Sequence, residues 1–171
     1  METFTNEILD LNQLPKHEAI SLTPLHPSYW KVMLIKIAIA FLFIAVLAIL
    51  AINFIDETAG NQTVIWSGYA FLLVIILFFT RLSFKKKAYA FREHDVIFRH
   101  GIIATTTMVI PYNRVQHVAL HEGLLERNFG LAKVELFTAG GIASDLGVPG
   151  ILKPQAEDIK QLLMGKIQIQ L

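Results

Sequence analysis

The chain contains no cysteine. Disulfide scaffolds, Cys-ligated zinc, iron–sulfur clusters and thiol catalysis are therefore excluded. The compartment is not settled by this, although a reducing one fits. Charge is also scarce: 17% of the 171 residues are charged and the formal net charge is +1. A globular domain carries about 25%. This balance excludes a disordered chain and a soluble nucleic-acid binder working through a strong cationic field. No Walker loop, dinucleotide fingerprint, serine nucleophile elbow or His-Glu-x-x-His pair is present. What the chain has instead is apolar surface, at 54% of residues, in a length that suits roughly one ordinary domain.

That apolar content is concentrated. Ile37 to Ile52 carries no charge and no proline, and the run extends from Val32 to Ile55 past a single Lys36. Thr63 to Thr80 is a second uncharged stretch. At ~1.5 Å per residue the second spans about 27 Å, close to the ~30 Å hydrocarbon core of a bilayer. The remainder of the chain is too short to cover two such helices on all sides. The reading is a transmembrane hairpin over residues 32–80, with helices at about 32–55 and 63–80, following a tail at 1–31. The acid-bearing turn Asp56-Glu57 joins the helices, while Arg81, Lys85, Lys86, Lys87 and Arg92 follow the second. The positive-inside rule puts both termini in the cytoplasm. The tail is polar and acidic-leaning, so the first apolar run is expected to stay as an anchor. Tyr29, Trp30, Trp66 and Tyr69 fit aromatic belts. Ala45, Ala48, Ala51, Ser67, Gly68 and Ala70 are small enough for close helix contact.

Residues 81–171 have a different texture. Short β-rich runs at Val96–Arg99, Ile102–Ile110, Val115–His121, Lys133–Thr138 and Ser144–Val148 are separated by Glu93-His94-Asp95, Gly101, Pro111 with Asn113, Gly140-Gly141 and Pro149-Gly150. The end reads as a helix. Pro154 suits a first helical position, Glu157 and Asp158 suit the first turns, and Ala156, Ile159, Leu162 and Leu163 recur at helical spacing. The predicted architecture is five to seven strands closed by one C-terminal helix.

The element Pro111-Tyr112-Asn113-Arg114-Val115-Gln116-His117-Val118 is followed by Leu125-Glu126-Arg127, Gly130-Leu131 and Thr138-Ala139-Gly140. Taken together these resemble the YdbS-like bacterial pleckstrin-homology (PH) family over roughly residues 25–165. The resemblance implies a two-helix membrane hairpin joined to one PH-like barrel of about seven strands capped by a C-terminal α-helix. It also implies a bacterial inner-membrane location. A larger relative bearing several such domains is the partner it suggests, with self-association as the other possibility.

Candidate residues fall into two groups. Arg81, Lys85, Lys86, Lys87 and Arg92 are the membrane-surface candidates; such cations fix topology and also attract anionic lipid. Pro111, Arg114, Gln116, Arg127 and Gly130 are the motif positions. Pro111 and Gly130 read most simply as turn residues. Arg114 and Arg127 either bind an anionic group or partner, or satisfy carbonyls and carboxylates such as Glu126 or Glu135. Glu122 and Glu126 read as solvated charges beside Arg127. His117 and His121 lie about 13 Å apart on a strand, too far to share a metal. No catalytic constellation, cofactor site or nucleic-acid surface emerges, and the hairpin lacks the mid-depth ionisable groups of a transporter. The expected role is therefore a non-catalytic scaffold or protein-interaction module on the cytoplasmic face. Recognition of anionic lipid headgroups is the alternative.

Overall fold

The computed structural model describes residues 20–54, 60–138 and 146–168. Asp56, Glu57, the Gly140-Gly141 pair, Ser144 and residues 1–19 of the tail lie outside them. Two long helices come first: α1, Pro27–Phe54, and α2, Gln62–Lys86. Pro27 opens α1, where its fixed φ costs nothing, and the Ser28 backbone N–H is capped by His26 Nδ1 at 3.2 Å. At ~1.5 Å per residue, these 28 and 25 residues run about 42 and 38 Å, longer than a bilayer core.

Both helices overrun the uncharged stretches. α1 starts five residues earlier than expected, and α2 continues six residues past Thr80 through Arg81, Lys85 and Lys86. The uncharged run measures only what hydrocarbon can cover, whereas Arg, Leu and Lys carry the helix onward into a polar layer. Only Val32 and Phe41 are buried on α1, and no α2 residue is. Two helices this apolar, and this little covered by protein, have the surface of lipid-facing spans. An edge-on aromatic pair, Phe41 and Tyr69 at 5.3 Å, links them, and the Tyr69 hydroxyl donates to the Phe41 carbonyl at 3.2 Å. Tyr69 thus serves the hairpin interior and not a belt. A Cβ on Gly68 would meet nothing within 4 Å, so that glycine does not mediate close helix contact.

The rest of the chain forms two antiparallel sheets. One has the order β1 (Thr23–Pro24), β2 (Ala88–Phe91), β3 (Asp95–His100), β4 (Thr106–Pro111); the other is β5 (Val115–His121), β6 (Leu131–Thr138), β7 (Leu146–Leu152). A 3-10 turn at Tyr112–Arg114 makes the corner between the sheets. Buried Tyr112 pins it: its N–H donates to His94 O at 3.0 Å and its hydroxyl to Arg92 O at 2.7 Å. Desolvation pushes that phenol up to about 12. The short helix α3, Leu124–Asn128, bridges β5 and β6, and α4, Lys153–Gln168, closes the barrel. Seven strands and a closing helix agree with the predicted PH-like architecture.

The core follows the alternation read from sequence. Ala132, Val134 and Leu136 of β6 share one core with Val96, Phe98, Ile110, Val115, Val148 and Ile151. Each such aliphatic side chain contributes roughly 1.5–3 kcal/mol on burial. Ala156 and Leu163 of α4 are fully buried against this core and Ile159 and Ile167 pack on it, but Leu162 is exposed. The true stripe therefore runs one turn further and omits Leu162. Strand β4 begins at Thr106, four residues later than expected, because residues 101–105 form a turn.

Two register shifts organise the second sheet. Gln116 is the extra residue between Val115↔Thr138 and His117↔Phe137. Pro149 and Gly150 together face Lys133 between Val134↔Val148 and Ala132↔Ile151. Pro149-Gly150 was expected to end a strand; instead β7 runs through it as a bulge, where proline's missing N–H is tolerated and Gly150 adopts φ +69°. An added Cβ there would approach the Tyr29 ring at 2.8 Å, and the Gly150 carbonyl accepts the His26 N–H at 3.0 Å. Gly130 also has positive φ, +64°, but open space around it. Gly130→Ala should therefore lose only the left-handed backbone preference, about 1 kcal/mol, whereas Gly150→Ala also displaces Tyr29. Thermal unfolding in detergent should show the larger drop for Gly150→Ala; equal drops would mean that Tyr29 does not depend on the bulge.

Candidate functional site: a basic groove at the end of the hairpin

Helix α2 does not unwind gradually. Its last turn carries Lys85 and Lys86, and Lys87 then switches to extended backbone and leads into β2. Three consecutive cations are thus presented at a helix-to-strand corner, two exposed and Lys87 half-buried. Burial pushes the Lys87 ammonium below its ordinary value. Across the hairpin, Ala88 pairs with Arg99, which brings a fourth cation alongside. Ile20, Leu22 and Pro24 form the opposite wall, with Thr105 at one end. The result is a groove of about 550 Å³ with Lys85, Lys86, Lys87 and Arg99 on its lining and no carboxylate among the described lining residues. Four positive groups around one concavity are complementary to a phosphate or carboxylate.

Arg99 was missed as a candidate because it sits twelve residues beyond Lys87. The signal was present, however. A hairpin turn centred on Glu93-His94 pairs Phe91 with Val96 and therefore Ala88 with Arg99. The hydrophobic wall was missed because Leu22 and Pro24 belong to the segment read as tail, of which Thr23–Pro24 is strand β1, paired with Ala88–Tyr89.

The other candidates are dispersed. Arg92 lies at the far end of β2, about 16 Å along the chain from Lys87 at the extended-strand rise, and its guanidinium is engaged by Asp95 in the β2–β3 turn. That hydrogen bond holds the guanidinium above its ordinary value. Arg81 lies over the Trp30 ring at 4.8 Å and beside Phe84 at 5.8 Å, a cation–π contact joining the two helices. Pro111 ends β4, exposed Arg114 and Gln116 flank the corner and the first bulge, and Gly130 turns α3 into β6. Arg127 is exposed on α3. Neither Arg114 nor Arg127 forms an ion pair among the described residues; Glu135 pairs with Lys133 instead.

A second concavity, about 390 Å³, lies where α1 meets the second sheet and is lined by Tyr29, Lys36, His121, Glu126 and Lys133. Here Lys36 on α1 pairs with Glu126 on α3 at 2.5 Å, and Glu122 pairs with Lys153 at 3.0 Å. The two glutamates are therefore not free solvated charges. Glu126 is seven-eighths covered, while Lys36 is half exposed. Burial by itself raises the Glu126 pKa, but the hydrogen bond from Lys36, a backbone N–H and the nearby Lys36 and His121 charges outweigh it and leave the carboxyl below its ordinary range. The discordant lysine in the apolar run thus has a partner on the module. His117, for its part, stacks on Phe137 at 4.6 Å.

The family model described as "Bacterial PH domain" matches residues 20–167. Among curated proteins, the chain is 25% identical over 153 residues to the UPF0699 transmembrane protein YdbS of Bacillus subtilis (strain 168), covering 88% of this chain and 91% of that one. No solved structure matches significantly.

The matched region includes both helices and both partners of the Lys36–Glu126 pair. Because the folded carboxyl is held below its unfolded value, the pair's contribution is present above the ordinary carboxylate pKa of about 4.3 and is lost as pH falls through the depressed one. With Lys36 half exposed, Glu126→Gln should cost about 1 kcal/mol or less at pH 7. The melting difference between the chain and this variant, measured in detergent, should close as the pH is lowered below 4. A difference that persists in acid would assign it to packing and not to the ion pair.

Proposed function

The chain belongs to the bacterial PH domain family, and from that premise we propose that it is a two-span inner-membrane protein of a bacterial cell with both termini cytoplasmic, holding a non-catalytic PH-like module against the cytoplasmic leaflet. The module's ligand is the headgroup of an anionic lipid, bound in the groove of Lys85, Lys86, Lys87 and Arg99. One observation carries this reading: four cations converge on a single concavity within one helical turn of the end of a membrane-long helix.

Topology supports it. Strand β1 precedes the hairpin and β2 follows it, yet the two are hydrogen-bonded neighbours. The chain therefore enters and leaves the apolar helices on the same side, as two spans require. The Lys85–Lys87 cluster lies at that end, which the positive-inside rule assigns to the cytoplasm. Anionic lipid concentrates at the same leaflet, and each nearby Lys or Arg is worth roughly 1 kcal/mol of attraction.

A scaffold role is the second reading, favoured by the same groove, because its cations suit an acidic segment of a membrane partner as well as a phosphate. That partner would be a larger relative with several such domains or a second copy of the chain. In both readings the module binds and does no chemistry.

Orientation is testable directly, since the absence of cysteine gives a clean background. Gly60→Cys, where the new side chain meets nothing, should react with an impermeant maleimide in spheroplasts, whereas Leu124→Cys should react only after lysis. The reverse pattern would overturn the orientation. For the ligand, native mass spectrometry of the full chain should show retention of phosphatidylglycerol over phosphatidylcholine. Removing two charges with Lys87→Gln/Arg99→Gln should cost about 2 kcal/mol, roughly a thirtyfold loss of that preference. An unchanged lipid preference together with loss of a co-purifying membrane protein would favour the scaffold reading.

A further inference from the structure

Beside the groove, the turn between β3 and β4 carries the most exposed large hydrophobic side chain of the described residues. Ile103 is 95% exposed, more so than any of the large apolar residues on the two membrane-long helices. It sits in Gly101-Ile102-Ile103-Ala104-Thr105, a stretch without charge. Leaving an aliphatic side chain of this size in water forgoes about 1.5–3 kcal/mol that burial would return.

The turn is built and not slack. Gly101 adopts φ +114°, and a Cβ at that position would lie 2.0 Å from the Ala104 carbonyl, so only glycine closes it this tightly. Its base is tied to the hairpin: Lys86 Nζ, from the last residue of α2, donates to the Ile102 carbonyl at 2.6 Å. Thr105, at the other end of the turn, lines the groove with Lys85–Lys87.

These contacts fix the depth. Six residues separate Thr80, the end of the uncharged run, from Lys86, an axial rise of about 9 Å. The headgroup layer on one side of a bilayer is roughly 5–8 Å thick. Lys86 lies at the outer border of that layer, and the turn it holds, which follows β3 as that strand runs back past Lys87 toward α2, reaches from there into the layer. An apolar tip edged by Lys and Arg is the composition of a segment resting in the interface, with cations among the headgroups and the aliphatic side chain at the acyl boundary.

We propose that the β3–β4 turn is a membrane-dipping wedge, with Ile103 inserted into the leaflet into which α2 emerges. This gives the module a second attachment to the bilayer beside the groove, at the end where Thr105 lines it. The groove then opens along the membrane surface, and the wedge needs no particular headgroup.

Spin labelling tests this in the full chain. Ile103→Cys and, as the comparison, His94→Cys at the exposed far end of the β2–β3 hairpin would each be labelled and reconstituted in nanodiscs of phosphatidylcholine alone. The label at 103 should be relaxed more by oxygen than by a water-soluble nickel chelate, and that at 94 the reverse. Nickel-dominated relaxation at both positions would overturn the wedge. The bilayer contains no anionic lipid, so this result is independent of whether the groove selects anionic headgroups. Both sites are exposed, so neither substitution removes a packed side chain, and melting of the labelled chains checks that directly.

Discussion

Everything in this molecule depends on how α1 leaves the sheets. The first turn of the helix is seated on a bulge of β7, where Gly150 gives up its side chain to the Tyr29 ring and its carbonyl to the His26 N–H. Just before it, Leu25 is buried in the barrel core, and two turns after it Lys36 reaches Glu126. The hairpin is thus mortised into the module at three successive points and not hung from a linker. The position of the basic groove relative to the helices follows, since its walls are the end of α2 on one side and the segment leading into α1 on the other.

Electrostatics is partitioned in a way net charge conceals. Several of the charges are neutralised locally: Lys36 by Glu126, Arg92 by Asp95, Lys133 by Glu135, Lys153 by Glu122. Each pair fastens a particular joint, namely helix to module, a hairpin turn, neighbouring positions of one strand, and the start of α4. The charges left at the end of α2 have no such partners on the lining of the groove, where they stand together. A net charge of +1 therefore conceals a local cluster of four cations, offset by the excess of acids elsewhere in the chain.

Much of the fold was legible because its signals are local. Uncharged length announced the helices, alternation announced β6, and the spacing of Ala156, Ile159 and Leu163 announced the closing helix. Misreadings arose where tertiary context decides. Leu162 fits a helical stripe, but the barrel mouth is narrower than the stripe and leaves it in solvent. Pro149-Gly150 has the composition of a strand end, and only the helix lying against it makes a bulge the better solution. Of the candidate site, Lys85–Lys87 could be read directly and Arg99 only through strand register. Leu22 and Pro24 could not be read at all, because their neighbours in space lie more than sixty residues away in sequence.

That separation has a kinetic consequence. Thr23 pairs with Tyr89, so the first strand is synthesised before both apolar helices and its partner after them. In the proposed two-span arrangement, β1 and the core residue Leu25 would wait unpaired during translation while the hairpin is handed to the bilayer. Only when β2 and β3 emerge does the early segment find its edge. In that arrangement the loop to be closed would no longer be a random coil but two inserted helices whose ends have already been brought together. Membrane insertion would thereby bear much of the entropic cost of this long-range pairing. An insertion machinery that stalls on the hairpin would stall the barrel with it, and assembly of the module would report on whether the membrane step had been completed.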